Sequence, residues 1–225
     1  MFPLRDSNPS DRFPFVTLGL IGLCTLVFLY EVSLGQDLRA FFASFALVPG
    51  QISYGLQSGE LGLPAAVQPF VTSMFLHGGW LHLIGNMWFL WIFGDNVEDM
   101  LGSGRYLVFY VLAGLGAGLA HYFIQPTSAI PTVGASGAIA GVLAGYLILF
   151  PRARVTTVVP LGFFIRVMEL PAMVLIGIWF LIQIASGLLT TVGGSAAGVA
   201  WWAHVGGFVV GALLVKVFQP RRVMA

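Results

Sequence analysis

Charge is what this sequence has least of: Asp, Glu, Lys and Arg make up 8% of its 225 residues, against about 25% in an ordinary soluble domain. With 58% of the chain apolar, the composition argues against a water-soluble fold. Cysteine is nearly absent too. Cys24 stands alone in an apolar run, so neither an internal disulfide nor a Cys-rich metal site is available. The net charge of +1 offers nothing to a polyanion, and no nucleic-acid partner is expected. Solenoid repeats, low-complexity tracts and a soluble appendage are also missing.

What the chain does have is long charge-free runs, at Phe13–Tyr30, Leu61–Gly94, Tyr106–Pro151 and Leu170–Val215. A helix needs about 20 residues to cross a bilayer. The last two runs are too long for one crossing and are broken near their middles by Pro126-Thr127-Ser128-Ala129-Ile130-Pro131 and by Thr191-Val192-Gly193-Gly194-Ser195, so each reads as a helical hairpin. Pro64, Pro69 and Gly78-Gly79 break the second run and leave a helix from about Trp80. The pattern predicts an all-α, polytopic membrane protein with six spanning helices near 13–31, 79–95, 105–125, 134–151, 169–190 and 201–218. One membrane domain covers 1–225, with short tails at 1–12 and 219–225 and a long connection at about 32–78.

An even number of spans puts both termini on one side. If that side is the cytoplasm, only Arg39 of the ten basic residues lies outside, which satisfies the positive-inside rule. The first span is expected to stay, because its apolar run exceeds that of a signal peptide. In the 32–78 connection Leu38, Phe41, Phe42, Phe45 and Leu47 form an apolar set suited to the membrane interface.

Ionisable and amide side chains inside spans are costly and are functional candidates by default. His82 and Asn86 are four apart on the second helix and so share a face. Ser136 opens the fourth helix in Gly134-Ala135-Ser136-Gly137, and His204 opens the sixth in Ala203-His204-Val205-Gly206-Gly207. Helices two, four and six run in the same direction, so all four groups fall at a similar depth. Small residues at Gly137, Gly141 and Gly145, and at Ala203, Gly207 and Gly211, repeat every four positions and let helices four and six approach closely. That contact would bring Ser136 beside His204, the minimum for a nucleophile with its general base. The Ser136 backbone N–H, at a helix start, can face a developing oxyanion, and His82 and Asn86 can add donors. No carboxylate is expected at this depth, which favours a Ser–His dyad over a triad. Each motif alone has a packing explanation, and their common depth and direction are what that explanation does not require. His77 and His121 are expected at the interface, without chemistry.

Thr72-Ser73-Met74-Phe75-Leu76-His77-Gly78-Gly79-Trp80-Leu81-His82-Leu83-Ile84-Gly85-Asn86-Met87, Gly134-Ala135-Ser136-Gly137 and Ala203-His204-Val205-Gly206-Gly207 with Gly211 resemble, in order, the three signatures of the rhomboid family of intramembrane serine proteases. The resemblance covers nearly the whole chain. It implies cleavage in or beside a transmembrane helix of single-span membrane-protein substrates, with Ser136 as nucleophile, His204 as base then acid, and His82, Asn86 and the Ser136 N–H around the oxyanion. It implies no cofactor and no metal. It also implies a cavity open to the outer side, a mobile cap at 191–199 and a gate at the fifth helix. Two positions depart from the family: Gln68 and Pro69 stand where many members carry Trp-Arg, and Ala140 stands where some carry a tyrosine that stacks on the histidine. A catalytically silent protein binding membrane clients is the alternative, and a small transporter a third. A bacterial cytoplasmic membrane is the expected location.

Overall fold

The computed structural model describes residues 1–162, 164–193 and 199–219. Most of the expected cap at 191–199 lies outside the described residues, as do Arg221 and Arg222. Six long helices alternate in direction: α1 (Phe15–Ser33), α5 (Trp80–Leu101), α6 (Ser103–Ile124), α7 (Ser136–Leu149), α8 (Ala172–Gly193) and α9 (Trp201–Phe218). Three short ones, α2 (Leu38–Phe45), α3 (Pro49–Ser58) and α4 (Leu63–Thr72), cover one end of the bundle, here called the loop end. The chain is a polytopic, all-α membrane protein. α1, α6, α8 and α9 are long and apolar enough to cross a bilayer. α5 has the length but carries Asp95, Glu98 and Asp99 at its far end.

α7 is different in kind. Its 14 residues span about 21 Å at about 1.5 Å per residue, short of a hydrocarbon core of about 30 Å. It is nonetheless the centre of the molecule, with every residue from Gly137 to Tyr146 buried. Its first turn lines a cavity with Leu47, Ile130 and Thr132 of the loop end and so lies recessed among them.

Glycine on facing helices explains how a helix can be buried so completely. A Cβ at Gly207 would collide with the Gly137 carbonyl, one at Gly211 would sit 2.5 Å from the Gly141 oxygen, and one at Gly141 would sit 3.1 Å from the Gly207 oxygen. α7 and α9 thus meet backbone to backbone, along the four-residue spacing seen in the sequence. Next to this contact, a Cβ at Gly206 would strike Ala120 of α6.

The opposite end holds a small sheet that the helical pattern did not predict. β1 (Phe2–Asp6), β2 (Arg154–Leu161) and β3 (Phe164–Pro171) pair antiparallel in the order β1-β2-β3, with Phe2 opposite Val158 and Val159 opposite Arg166. The β-branched run Val155-Thr156-Thr157-Val158-Val159 favours a strand. The Tyr146 hydroxyl donates to the Asp6 carboxylate at 2.6 Å and ties β1 to α7. Burial pushes the Asp6 carboxyl above its usual range against that hydrogen bond.

At this sheet end Glu98 holds three helices together. Its carboxylate accepts the Val16 and Thr17 N–H groups at 3.0 and 2.8 Å, the Thr17 hydroxyl at 2.8 Å and the Ser103 hydroxyl at 2.7 Å. It satisfies two of the orphan donors of the first turn of α1 and joins that turn to the start of α6. Gly102, with φ +78°, makes the turn between α5 and α6 and donates its N–H to the Glu98 carbonyl at 2.7 Å. Because a buried donor without an acceptor costs about 1–3 kcal/mol, Glu98→Ala is expected to destabilise the protein by about 3 kcal/mol. A thermal midpoint in detergent equal to that of the wild type would refute this role.

The loop end corrects one expectation and sharpens another. Leu38, Phe41, Phe42 and Phe45 do form a helix, α2, none of whose residues is buried. Leu47, grouped with them above, is instead 1% exposed in a satellite core with Ile52, Ala66 and Phe70. It pairs with Thr132 through two backbone hydrogen bonds of 3.1 and 2.8 Å, which fasten the long connection to the segment leading into α7. The Thr72 hydroxyl donates to the Phe45 carbonyl at 2.6 Å, so the connection is anchored without a Trp-Arg pair.

Candidate active site

The recessed start of α7 and the first turn of α9 face each other. Ser136 Oγ lies 2.7 Å from His204 Nε2, and the other ring nitrogen, Nδ1, lies 2.7 Å from Gln183 Oε1 of α8. Gln183 Oε1 can only accept, so this contact calls for a proton on His204 Nδ1, which would leave Nε2 to accept the Ser136 hydroxyl. Two indoles hold the ring: Trp179 at 6.0 Å between centroids, tilted by 34°, and Trp201 at 6.2 Å, nearly perpendicular. Ala140, by contrast, offers the ring no aromatic face.

His82 and Asn86 reach the same place from α5. They line, with Ser136 and His204, a cavity of about 800 Å³. Gly78 N–H faces His82 Nδ1 at 3.4 Å, which leaves Nε2 of His82 as a donor. Asn86 Nδ2 is buried and has no hydrogen-bond partner among the described residues. Beside it, the N–H groups of the first turn of α7 have no intrahelical acceptor. The site is thus rich in unspent donors around a hydroxyl, the arrangement suited to an oxyanion.

Gly134 makes the approach possible. Its φ of +123° suits glycine alone, and a Cβ there would lie 2.7 Å from His82 Nε2 and 3.4 Å from Asn86 Nδ2. Its N–H donates to the Ser73 carbonyl at 2.8 Å, so the segment before Ser136 is pinned to the turn that follows α4.

Two histidines expected at the interface are buried instead. His77 is 1% exposed. Its N–H donates to the Glu31 carboxylate at 3.2 and 3.3 Å, and its ring rests on His82 at 5.3 Å between centroids. Glu31, at the loop end of α1, is likewise buried rather than solvated. His121 is 4% exposed and its Nε2 lies 3.0 Å from the Thr132 hydroxyl, joining α6 to the segment before α7.

Sequence reasoning missed Gln183. The signal was available: between Leu170 and Val215, Gln183 and His204 are the only amide or ionisable side chains. Those two are the groups that meet.

The sequence also matches known proteins. The Rhomboid domain model matches residues 64–221. The chain is 35% identical over 153 residues to the Arabidopsis thaliana protein named Rhomboid-like protein 11, chloroplastic, covering 65% of this chain and 50% of that one. It is 30% identical over 143 residues to Rhomboid protease GluP of Bacillus subtilis, covering 64% and 25%. It is 28% identical over 212 residues to Rhomboid protease AarA of Providencia stuartii, covering 88% and 70%. The chain thus spans half the length of the first of these relatives and a quarter of the second.

Proposed function

Since the chain belongs to the rhomboid family, we propose that it is an intramembrane serine endopeptidase that cleaves peptide bonds in or beside the transmembrane helices of single-span membrane proteins. The observation that carries this is the 2.7 Å contact of Ser136 Oγ with His204 Nε2 inside the cavity that His82 and Asn86 also line.

Ser136 Oγ attacks the scissile carbonyl carbon while its proton passes to His204 Nε2. The carbonyl oxygen becomes an oxyanion that takes hydrogen bonds from the Ser136 N–H, Asn86 Nδ2 and His82 Nε2. The C–N bond then breaks, His204 gives its proton to the leaving amine, and an acyl group remains on Ser136. Water, deprotonated by His204, attacks that ester and restores the serine. Each step uses only side-chain and backbone groups of this chain, the substrate and water.

The test is labelling and cleavage together. Purified protein in liposomes should react with a fluorophosphonate at Ser136 and cut a generic single-span substrate, with product masses placing the cut near one membrane boundary. Absence of both would favour a silent protein that binds membrane clients.

An orientation with the basic sheet end in the cytoplasm is part of the proposal and opens the cavity to the outer side. A single membrane domain over 1–225 in a bacterial cytoplasmic membrane is the setting this reading adopts; the relatives themselves are both bacterial and eukaryotic.

Substrate entry is assigned to the apolar groove between α5 and α8, lined by Phe89, Phe93, Leu175, Ile176, Trp179 and Ile182. Cross-linking cysteines placed at Phe89 and Ile182 should abolish cleavage of a membrane substrate while leaving fluorophosphonate labelling intact. The native Cys24 is buried and would not compete. Unchanged turnover after complete cross-linking would remove the gate.

A further inference from the structure

We infer that Gln183 is a positioning residue that fixes the tautomer of His204, an assignment that rests on the proteolytic role of the Ser136–His204 pair. Neutral imidazole carries one proton, on either ring nitrogen. With the proton on Nε2 the ring would offer Ser136 a donor and could not take its proton; with the proton on Nδ1 it presents the lone pair that general-base catalysis needs. The choice is made by whatever faces Nδ1.

An amide is an ambiguous choice for that position, because it has a donor end as well as an acceptor end. In the serine-protease triad, replacing the orienting aspartate by asparagine lowers kcat by about 10⁴ through the wrong tautomer. Here the ambiguity is removed within one helical turn. Gln183 Nε2 donates to the Trp179 carbonyl at 3.4 Å, four residues earlier on α8, which leaves Oε1 for His204 Nδ1 at 2.7 Å. Gln183 is 4% exposed, so water does not compete for either end.

A neutral amide also suits the location. A carboxylate would set the same tautomer, but an unpaired charge at membrane depth is costly. The glutamine does the orienting work without ionising. Trp179 and Trp201 flank the ring independently, so loss of the amide should leave the imidazole in place but free its tautomer.

Gln183→Met keeps the shape of the side chain and removes the strong acceptor, Gln183→Leu removes it outright, and Gln183→Glu restores an acceptor. Met and Leu variants are expected to lose about 10²–10³-fold in kcat with KM within about twofold, and to slow fluorophosphonate labelling of Ser136 by the same factor. Gln183→Glu should recover at least about a tenth of wild-type kcat. A purely structural role would not give this split or this rescue. Nitrogen-15 NMR of histidine-labelled wild type adds a readout that needs no variant: His204 should be protonated at Nδ1.

Wild-type-like kcat and labelling in Gln183→Met, or an Nε2-protonated His204 in the wild type, would overturn the assignment. If Gln183→Leu fails to fold, the Met variant and the NMR tautomer decide. Ser136→Ala assayed alongside separates the two failures. An inactive Ser136→Ala with a fully active Gln183→Met sinks only the positioning role, whereas an active Ser136→Ala sinks the protease reading itself.

Discussion

Ser136→Ala should reduce cleavage of a membrane substrate by about 10⁵–10⁶-fold, to background in any ordinary assay, and His204→Ala should do the same. The double variant should be no worse than either single one. That non-additivity follows from the proposed chemistry: without the hydroxyl there is nothing for the base to deprotonate, and without the base the hydroxyl is a poor nucleophile. The 2.7 Å separation makes the two groups one unit. Removing a donor is a smaller loss. Asn86→Ala should cost about 10²–10³-fold in kcat, the scale of one oxyanion donor, although freeing the structure of a buried unpartnered amide should leave stability unchanged or improved. Lower activity with unchanged or raised thermal midpoint would mark Asn86 as held for chemistry. Two single variants whose losses multiply in the double variant would show that Ser136 and His204 act separately and would end the proposal of a coupled pair.

The candidate site was legible in the sequence because it stands out against an apolar background. Ser136, His204, His82 and Asn86 were found by asking which polar groups sit in charge-free runs and which helices run in the same direction. Gln183 obeys the same rule and was passed over, since a lone glutamine on a helix without a motif does not announce a partner. What could not be read was cover. Leu47 is buried against α3 and α4, His121 meets Thr132, and His77 and Glu31 are buried against each other; local pattern carries no record of which distant segment will cover a residue. The three-stranded sheet was missed for a related reason. The β-branched run of β2 lies between Arg152 and Arg166, and charge spacing alone makes that stretch a connector between two spans. Six helices survived that error because apolar length, unlike pairing, is a property of each segment by itself.

Gly207→Ala is expected to lower cleavage by at least about 10²-fold in a protein that still folds. The added methyl would fall on the Gly137 carbonyl, and Gly211→Ala would fall on the backbone of Gly141. In both cases the obstacle is main chain, which has no rotamer to change, so α9 must move away from α7. Overpacking of this kind costs about 1–3 kcal/mol, tolerable for a bundle of this size. The chemistry is less forgiving: a displacement of about 1 Å can cost about 10²-fold in rate, and Gly137 directly follows the serine while Gly207 lies three residues from His204. Gly22→Ala provides the control, since a Cβ there meets nothing within 4 Å and alanine is the better helix former by up to about 1 kcal/mol. It should keep full activity. The measurements are turnover, fluorophosphonate labelling of Ser136 and thermal midpoint for each variant. Gly207→Ala with turnover and labelling near wild type would mean that α7 and α9 are not in backbone contact. Loss of both, in a protein whose midpoint falls only modestly, would tie the four-residue glycine spacing to catalysis: the glycines would then be needed less to hold the helices together than to let a serine on one reach a histidine on the other.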